Sequence, residues 1–116
     1  MARKHAVLSA SSAARWIACP PSARLNAEQS DTPSEYAAQG TDAHTLCEYK
    51  LRKALGKRVR DPTKKLSSYD SEMEECAEFY AQFVMGLVAQ FREESKDTMV
   101  SVEQRVDFSA FVPDGF

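Results

Sequence analysis

The strongest constraint on this chain is a run of apolar residues between Ser71 and Lys96. Met73, Cys76, Ala77, Tyr80, Phe83, Val84, Leu87, Val88 and Phe91 recur at spacings of three and four. An α-helix completes a turn every 3.6 residues, so this spacing gathers them on one stripe. A helix of about 25 residues is roughly 37 Å long, enough to cross a small domain. Its apolar stripe has to be covered by another element, and the aromatic spacing reads as a core face rather than a ligand box.

A second helical element lies upstream. Ser34 to Leu55 carries a second helical pattern, interrupted at Gly40 and closed by Gly56, with Thr41 placed to cap its second half. Leu46, Cys47, Tyr49 or Lys50, Leu51, Ala54 and Leu55 make its buried stripe. Before it, Ala6-Val7-Leu8 has the character of a short strand, and the serines from Ser9 to Ser12 offer N-caps. A short helix with Ala13, Ala14, Trp16, Ile17 and Ala18 on its apolar face follows. Cys19-Pro20-Pro21 stops it, because proline pushes the preceding residue out of helical geometry. Ser22 to Ala27 has room for one more turn, Glu28 to Pro33 is a polar loop, and Lys57 to Tyr69 is a basic, proline-containing connector.

Beyond Glu94 to Asp97 the period changes to two. Val100, Val102, Gln104, Val106 and Phe108 alternate with Ser101, Glu103, Arg105 and Asp107, the pattern of a strand over about residues 98–108. Phe111 to Phe116 contains Pro-Asp-Gly, a reversal signal leading toward a second strand. A lone strand leaves its ladder groups unpaired, so the chain reads as cut at a hairpin. The expected fold is therefore an α+β fragment, mainly helical over 9–96, forming one incomplete domain across 1–116 with its first core strand near 98–108.

Composition sets the boundaries of function. With 43% hydrophobic and 28% charged residues over 116 positions, the balance is that of a globular domain. No stretch approaches the roughly 18 apolar residues needed to span a membrane. Three widely spaced cysteines, Cys19, Cys47 and Cys76, with no apolar leader after the basic Met1 to Lys4, fit reduced thiols in a cytoplasm. The net charge of −2 gives no global attraction to a polyanion. Locally, however, Lys50 to Lys65 holds eight basic residues against one acid, while Asp70 to Glu78 holds five acids and no base. Charge runs are usually solvated helix ends and loops.

Three pieces carry chemistry. His44 in Gly40-Thr41-Asp42-Ala43-His44 is followed one helical turn later by Glu48, so both project from one face. Imidazole and carboxylate are both ligands for divalent cations, although a single such pair is most often a surface contact. Glu103 lies on the more polar face of the expected strand, where a rigid backbone would aim its carboxylate at a cleft. Cys19 stands alone, since neither Cys47 nor Cys76 has CxxC spacing, which weighs against an iron–sulfur cluster.

In this order the pieces resemble the front of RecB-type PD-(D/E)xK nucleases, with a particular likeness to a phage- and prophage-encoded family assigned to that group. Leu8-Ser9-Ala10-Ser11, Trp16, Cys19-Pro20, Ser22 and Leu25 match a segment of the form LSxSxxxxWxxCPxSxxL. Gly40 to Glu48 matches GTxxHxxxE, and the long helix and Glu103 follow in sequence. The resemblance covers nearly all of the chain. It implies that these helices precede the strands of a restriction-endonuclease-like α/β core. It further implies that His44 and Glu103 belong to a Mg²⁺ or Mn²⁺ site, with Glu48 a helix acid of less defined role.

The aspartate and the (D/E)xK pair that complete such a site have no counterpart in these residues. The chain alone is therefore expected to be inactive, and the parent to hydrolyse DNA, in company with the missing C-terminal core and a recombination or helicase partner. In that context Lys57, Arg58, Arg60, Lys64 and Lys65 gain a role as phosphate contacts, with Arg15 and Trp16 near the same cleft. For Trp16 a core role is favoured. A competing expectation from another class is a non-enzymatic helical interaction module of phage origin, its long helix packed on a partner helix and its strand paired with a partner strand.

Overall fold

In the computed structural model of the chain, residues 7–30, 32, 34–108 and 110–111 are described. They contain four α-helices: α1 Ala13–Ala18, α2 Pro21–Ala27, α3 Glu35–Ala54 and α4 Ser71–Glu94, with 3₁₀ turns at Ala10–Ser12 and Thr63–Lys65. The mainly helical character expected from the sequence holds. No described helix is long and apolar enough to cross a membrane. The backbone divides into two compact units, 33–103 and 1–32 with 104–116.

The unit 33–103 is built on α3 and α4. Ser34 starts α3 by accepting a hydrogen bond from the Ala37 amide at 3.0 Å, the exchange an N-cap serine makes with an otherwise unpaired amide. Gly56 ends it. With φ at 79°, Gly56 adopts the left-handed conformation that costs glycine nothing. Its amide then reaches Lys53 O and the Lys57 amide reaches Arg52 O, each at 3.0 Å, a Schellman closure.

The expected break at Gly40 is absent. α3 runs through it, and Thr41 turns its hydroxyl back to Ala37 O at 2.9 Å instead of capping a new helix. One glycine costs a helix only about 1 kcal/mol, less than the packing of the turns on either side returns. α4 is capped in turn by Asp70, whose carboxylate accepts from the Met73 amide at 2.7 Å.

Leu46, Met73 and Ala77 form the buried centre between the two helices, with Ala43, Cys47, Tyr49 and Leu66 packed around it. Farther along, Lys50 pairs with Glu74 and, at 3.3 Å, with Glu78. Contacts thus climb both helices together, so α3 and α4 run in the same sense. Parallel helices need a connector that travels back, and the segment 55–70 does this. It is pinned where Asp42 accepts from the Ser68 amide at 2.9 Å and from the Ser67 hydroxyl at 3.4 Å.

Two expectations need correction. The stripe of α4 is only partly buried: Met73, Ala77, Ala81 and Val88 are covered, whereas Tyr80, Phe83, Leu87 and Phe91 are exposed. Met73 and Ala77 meet Leu46 of α3, whereas Tyr80 lines an open cleft beside α3 and Phe83, Leu87 and Phe91 are left exposed. The second correction concerns 98–108, which forms no strand. No other described residue is in a strand to supply a ladder, and Glu103, at φ 50°, leaves the extended region altogether.

In the other unit the 3₁₀ turn leads into α1, and Trp16 Nε1 donates to Ser9 O at 3.0 Å. Trp16 is half-buried while Ile17 is exposed, so the apolar face expected of α1 is only partly covered. Pro21 occupies the first turn of α2, where no amide donor is needed. Val7 and Leu8 lie in a turn rather than a strand. Ala6, and the reversal expected over 112–116, fall outside the described residues.

Candidate functional site

His44 and Glu103, 59 positions apart, meet in the unit 33–103: His44 Nε2 and Glu103 Oε1 are 2.6 Å from each other. α3 fixes one partner. Its continuity through Gly40 places His44 well inside the helix, 63% exposed on the side chain, with the ring reaching the segment that follows α4. That segment is drawn back toward α3 by Arg52, whose Nη2 donates to Val102 O at 3.1 Å. Thr98 ties down its start by donating to Phe91 O at 2.9 Å and to Ser95 O at 2.8 Å.

Around the pair lies a cleft of about 290 Å³, lined among others by Gly40, Cys47, Glu48, Tyr80 and Val102. Glu48 shares this cleft with His44, as its spacing predicts, but its carboxylate is engaged by Arg52 at 2.8 Å. Cys47 also lines the cleft, and burial first, with the neighbouring Cys76 second, pushes its thiol up.

The donor set can be compared with the needs of a divalent cation. Two ligand atoms about 2.1 Å from one ion and at right angles are about 3 Å apart. The His44–Glu103 separation is a few tenths of an ångström shorter, so the two atoms lie about as close as neighbouring ligands of one ion. No group of three or more His, Cys, Asp or Glu side chains able to hold a metal ion occurs among the described residues. Among the described residues His44 and Glu103 are the converging pair, and Glu48 is paired with Arg52.

The five basic residues expected to meet phosphate, Lys57, Arg58, Arg60, Lys64 and Lys65, all lie on the connector 55–70. None is in an ion pair with another described residue. Arg60 lines a depression together with Thr45, Glu48, Tyr49 and Arg52, so Glu48 is shared by that depression and the His44 cleft. Asp61, the lone acid of the run, accepts from the Thr63 amide at 2.9 Å, and this bond holds its carboxyl below the usual range. Cys19 is exposed where α1 ends, and Trp16 and Arg15 lie in the other unit.

Two positions act in ways the sequence pattern does not announce. Arg52 belongs to a basic run, although its i,i+4 spacing from Glu48 is a visible sign of pairing. Asp42 stands inside the Gly-Thr-x-x-His motif, yet its role is to hold the returning connector, a contact no local pattern reveals.

Over residues 5–116 the chain matches the model of a family described as a protein of unknown function, DUF2800. No solved structure matches it.

Proposed function

The chain belongs to the DUF2800 family, and from its own residues we propose that it is the N-terminal, helical part of a metal-dependent DNA nuclease of the RecB type. The observation that carries this reading is the meeting of His44 with Glu103. These are the two residues that the resemblance to RecB-type nucleases singles out as metal ligands, and they are brought together from distant parts of the chain. His44 Nε2 and Glu103 Oε1 would be two of the ligands to a Mg²⁺ or Mn²⁺ ion. When bound, such an ion polarises a phosphate oxygen and lowers the pKa of a coordinated water.

The chain's own residues have narrower tasks. α3 orients His44, the Arg52 contact holds the Glu103 segment nearby, and the cations from Lys57 to Lys65 draw DNA toward the unit by displacing its counterions. In this reading the remaining aspartate and the (D/E)xK pair come from residues beyond Phe116, and the 116-residue chain does not cleave DNA. The parent would act in the cytoplasm of a bacterial or phage-infected cell.

The test is cleavage of linear DNA by the complete gene product with Mn²⁺, with His44→Ala as control. Activity abolished by the substitution, at an unchanged fold, is the expected result. Unchanged activity, or none in the native protein, removes the proposal. The exposed Tyr80, Phe83, Leu87 and Phe91 favour a second reading, a helical interaction module, because a contiguous apolar face usually has a partner. That module would form a stable complex or homodimer and bind no Mn²⁺ at His44.

A further inference from the structure

His44, Glu48 and Arg52 follow one another at steps of four, so α3 presents them on successive turns of one face. Their interactions are linked end to end. Glu48 engages the Arg52 guanidinium at 2.8 Å, Arg52 donates to Val102 O at 3.1 Å, and the next residue, Glu103, reaches His44 Nε2 at 2.6 Å. The path that leaves α3 at Arg52 thereby returns to α3 two turns earlier. We infer that Arg52, oriented by Glu48, is the positioning residue that presents the Glu103 carboxylate to His44. The inference rests on the metal-site reading only for its consequence, since the brace itself is geometric.

Three observations make Arg52 the determinant. Glu103 is the one non-glycine residue with positive φ among the described residues, at 50°, in a region that L-residues enter only when their surroundings impose it. The segment has no ladder to impose it, because 98–103 contains no strand. The Arg52 bond to the carbonyl immediately before Glu103 does, by fixing the peptide whose rotation decides where the carboxylate points. Glu48 is then a partner that removes rotational freedom from Arg52, and not a third metal ligand. Both contacts come from Nη2, whose two N–H groups are fixed in the guanidinium plane, and a freely rotating lysine ammonium lacks that fixed geometry.

The experiment compares the native chain with Arg52→Ala, Arg52→Lys and Glu48→Gln. NMR cross-peaks between the His44 ring protons and the Glu103 γ protons report the pairing, calorimetry reports Mn²⁺ affinity, and the melting midpoint serves as a fold control. The expected result is that the His44–Glu103 cross-peaks of the native chain vanish in Arg52→Ala and are not restored by lysine. Mn²⁺ affinity should fall by about tenfold or more, the usual effect of losing a group that orients a ligand. Glu48→Gln, which keeps an acceptor for Arg52, should retain most of both.

Native-like cross-peaks in Arg52→Ala, or their absence from the native chain, overturn the brace whatever the metal does. Cross-peaks that vanish in Arg52→Ala, in a protein whose native chain binds no Mn²⁺, support the brace and remove the metal reading. If Arg52→Ala fails to fold, Arg52→Lys decides: cross-peaks at full native strength overturn the brace, and weakened ones support it.

Discussion

The helix pair α3–α4 and the segment 98–103 reach their positions by opposite means. α3 and α4 are capped at their starts, α3 is closed at Gly56, and the two are joined by a buried centre in which Leu46 has no exposed surface. The segment 98–103 has no buried residue and is held by a few polar contacts, from Thr98, Arg52 and His44. The candidate site joins one residue from each kind of region. A histidine on a capped helix supplies the fixed reference, and a glutamate on a tethered segment supplies the adjustable partner. Affinity for a cation should therefore be sensitive to the tethers and stability to the helix pair.

The largest expected effect lies in the helix pair. Leu46→Ala removes the centre of the buried cluster and should cost about 3 kcal/mol in urea unfolding, through lost burial and the cavity left behind. A loss below about 1 kcal/mol would mean that the pair is not the stabilising core. Next in size is Asp70→Ala, which strips the N-cap of α4 and should cost about 1 kcal/mol in the same assay. No change there would place the start of α4 elsewhere.

A smaller effect comes from the Lys50–Glu74 pair. The hydrogen bond from Lys50 holds the Glu74 carboxyl below its ordinary range, and the same bond raises Lys50. A depressed carboxyl stabilises the fold fully above its unfolded pKa, about 4.3. That stabilisation is lost as pH falls through the lower folded value. The raised Lys50 behaves in the opposite sense: its contribution is complete below about 10.4 and lost as pH rises through the higher folded value. Solvent at Glu74, 34% exposed, screens the pair and keeps the effect below that of the cap. The melting midpoint should fall on acidification below about 4.3, and Lys50→Met should flatten that part of the curve. An identical acid limb in the variant would show that other carboxylates set it.

Much of this architecture is legible in local pattern. The period of α4, the Ser34 start of α3 and its glycine end each follow from chemistry within a few residues. The pairing of His44 with Glu103 is foreshadowed by the order of motifs rather than by any physical rule linking residues so far apart. What stays hidden depends on neighbours. Gly40 looks like a break until the packing around it is known. The apolar residues of α4 form a stripe wider than one helix can cover, so periodicity alone puts Tyr80, Phe83, Leu87 and Phe91 in a core that does not reach them. The alternation over 98–108 has the period of a strand, but a strand exists only with a ladder. Arg52 acts through a backbone carbonyl, and the sequence carries no mark of which carbonyl an arginine will find.

The most direct test of the central claim is calorimetric titration of this chain with Mn²⁺, beside His44→Ala of equal melting midpoint. The account predicts weak, saturable binding in the native chain that disappears in the variant, because in the proposed reading His44 and Glu103 supply two ligands of a cation site. Absence of binding in the native chain, or equal binding in both, would contradict it.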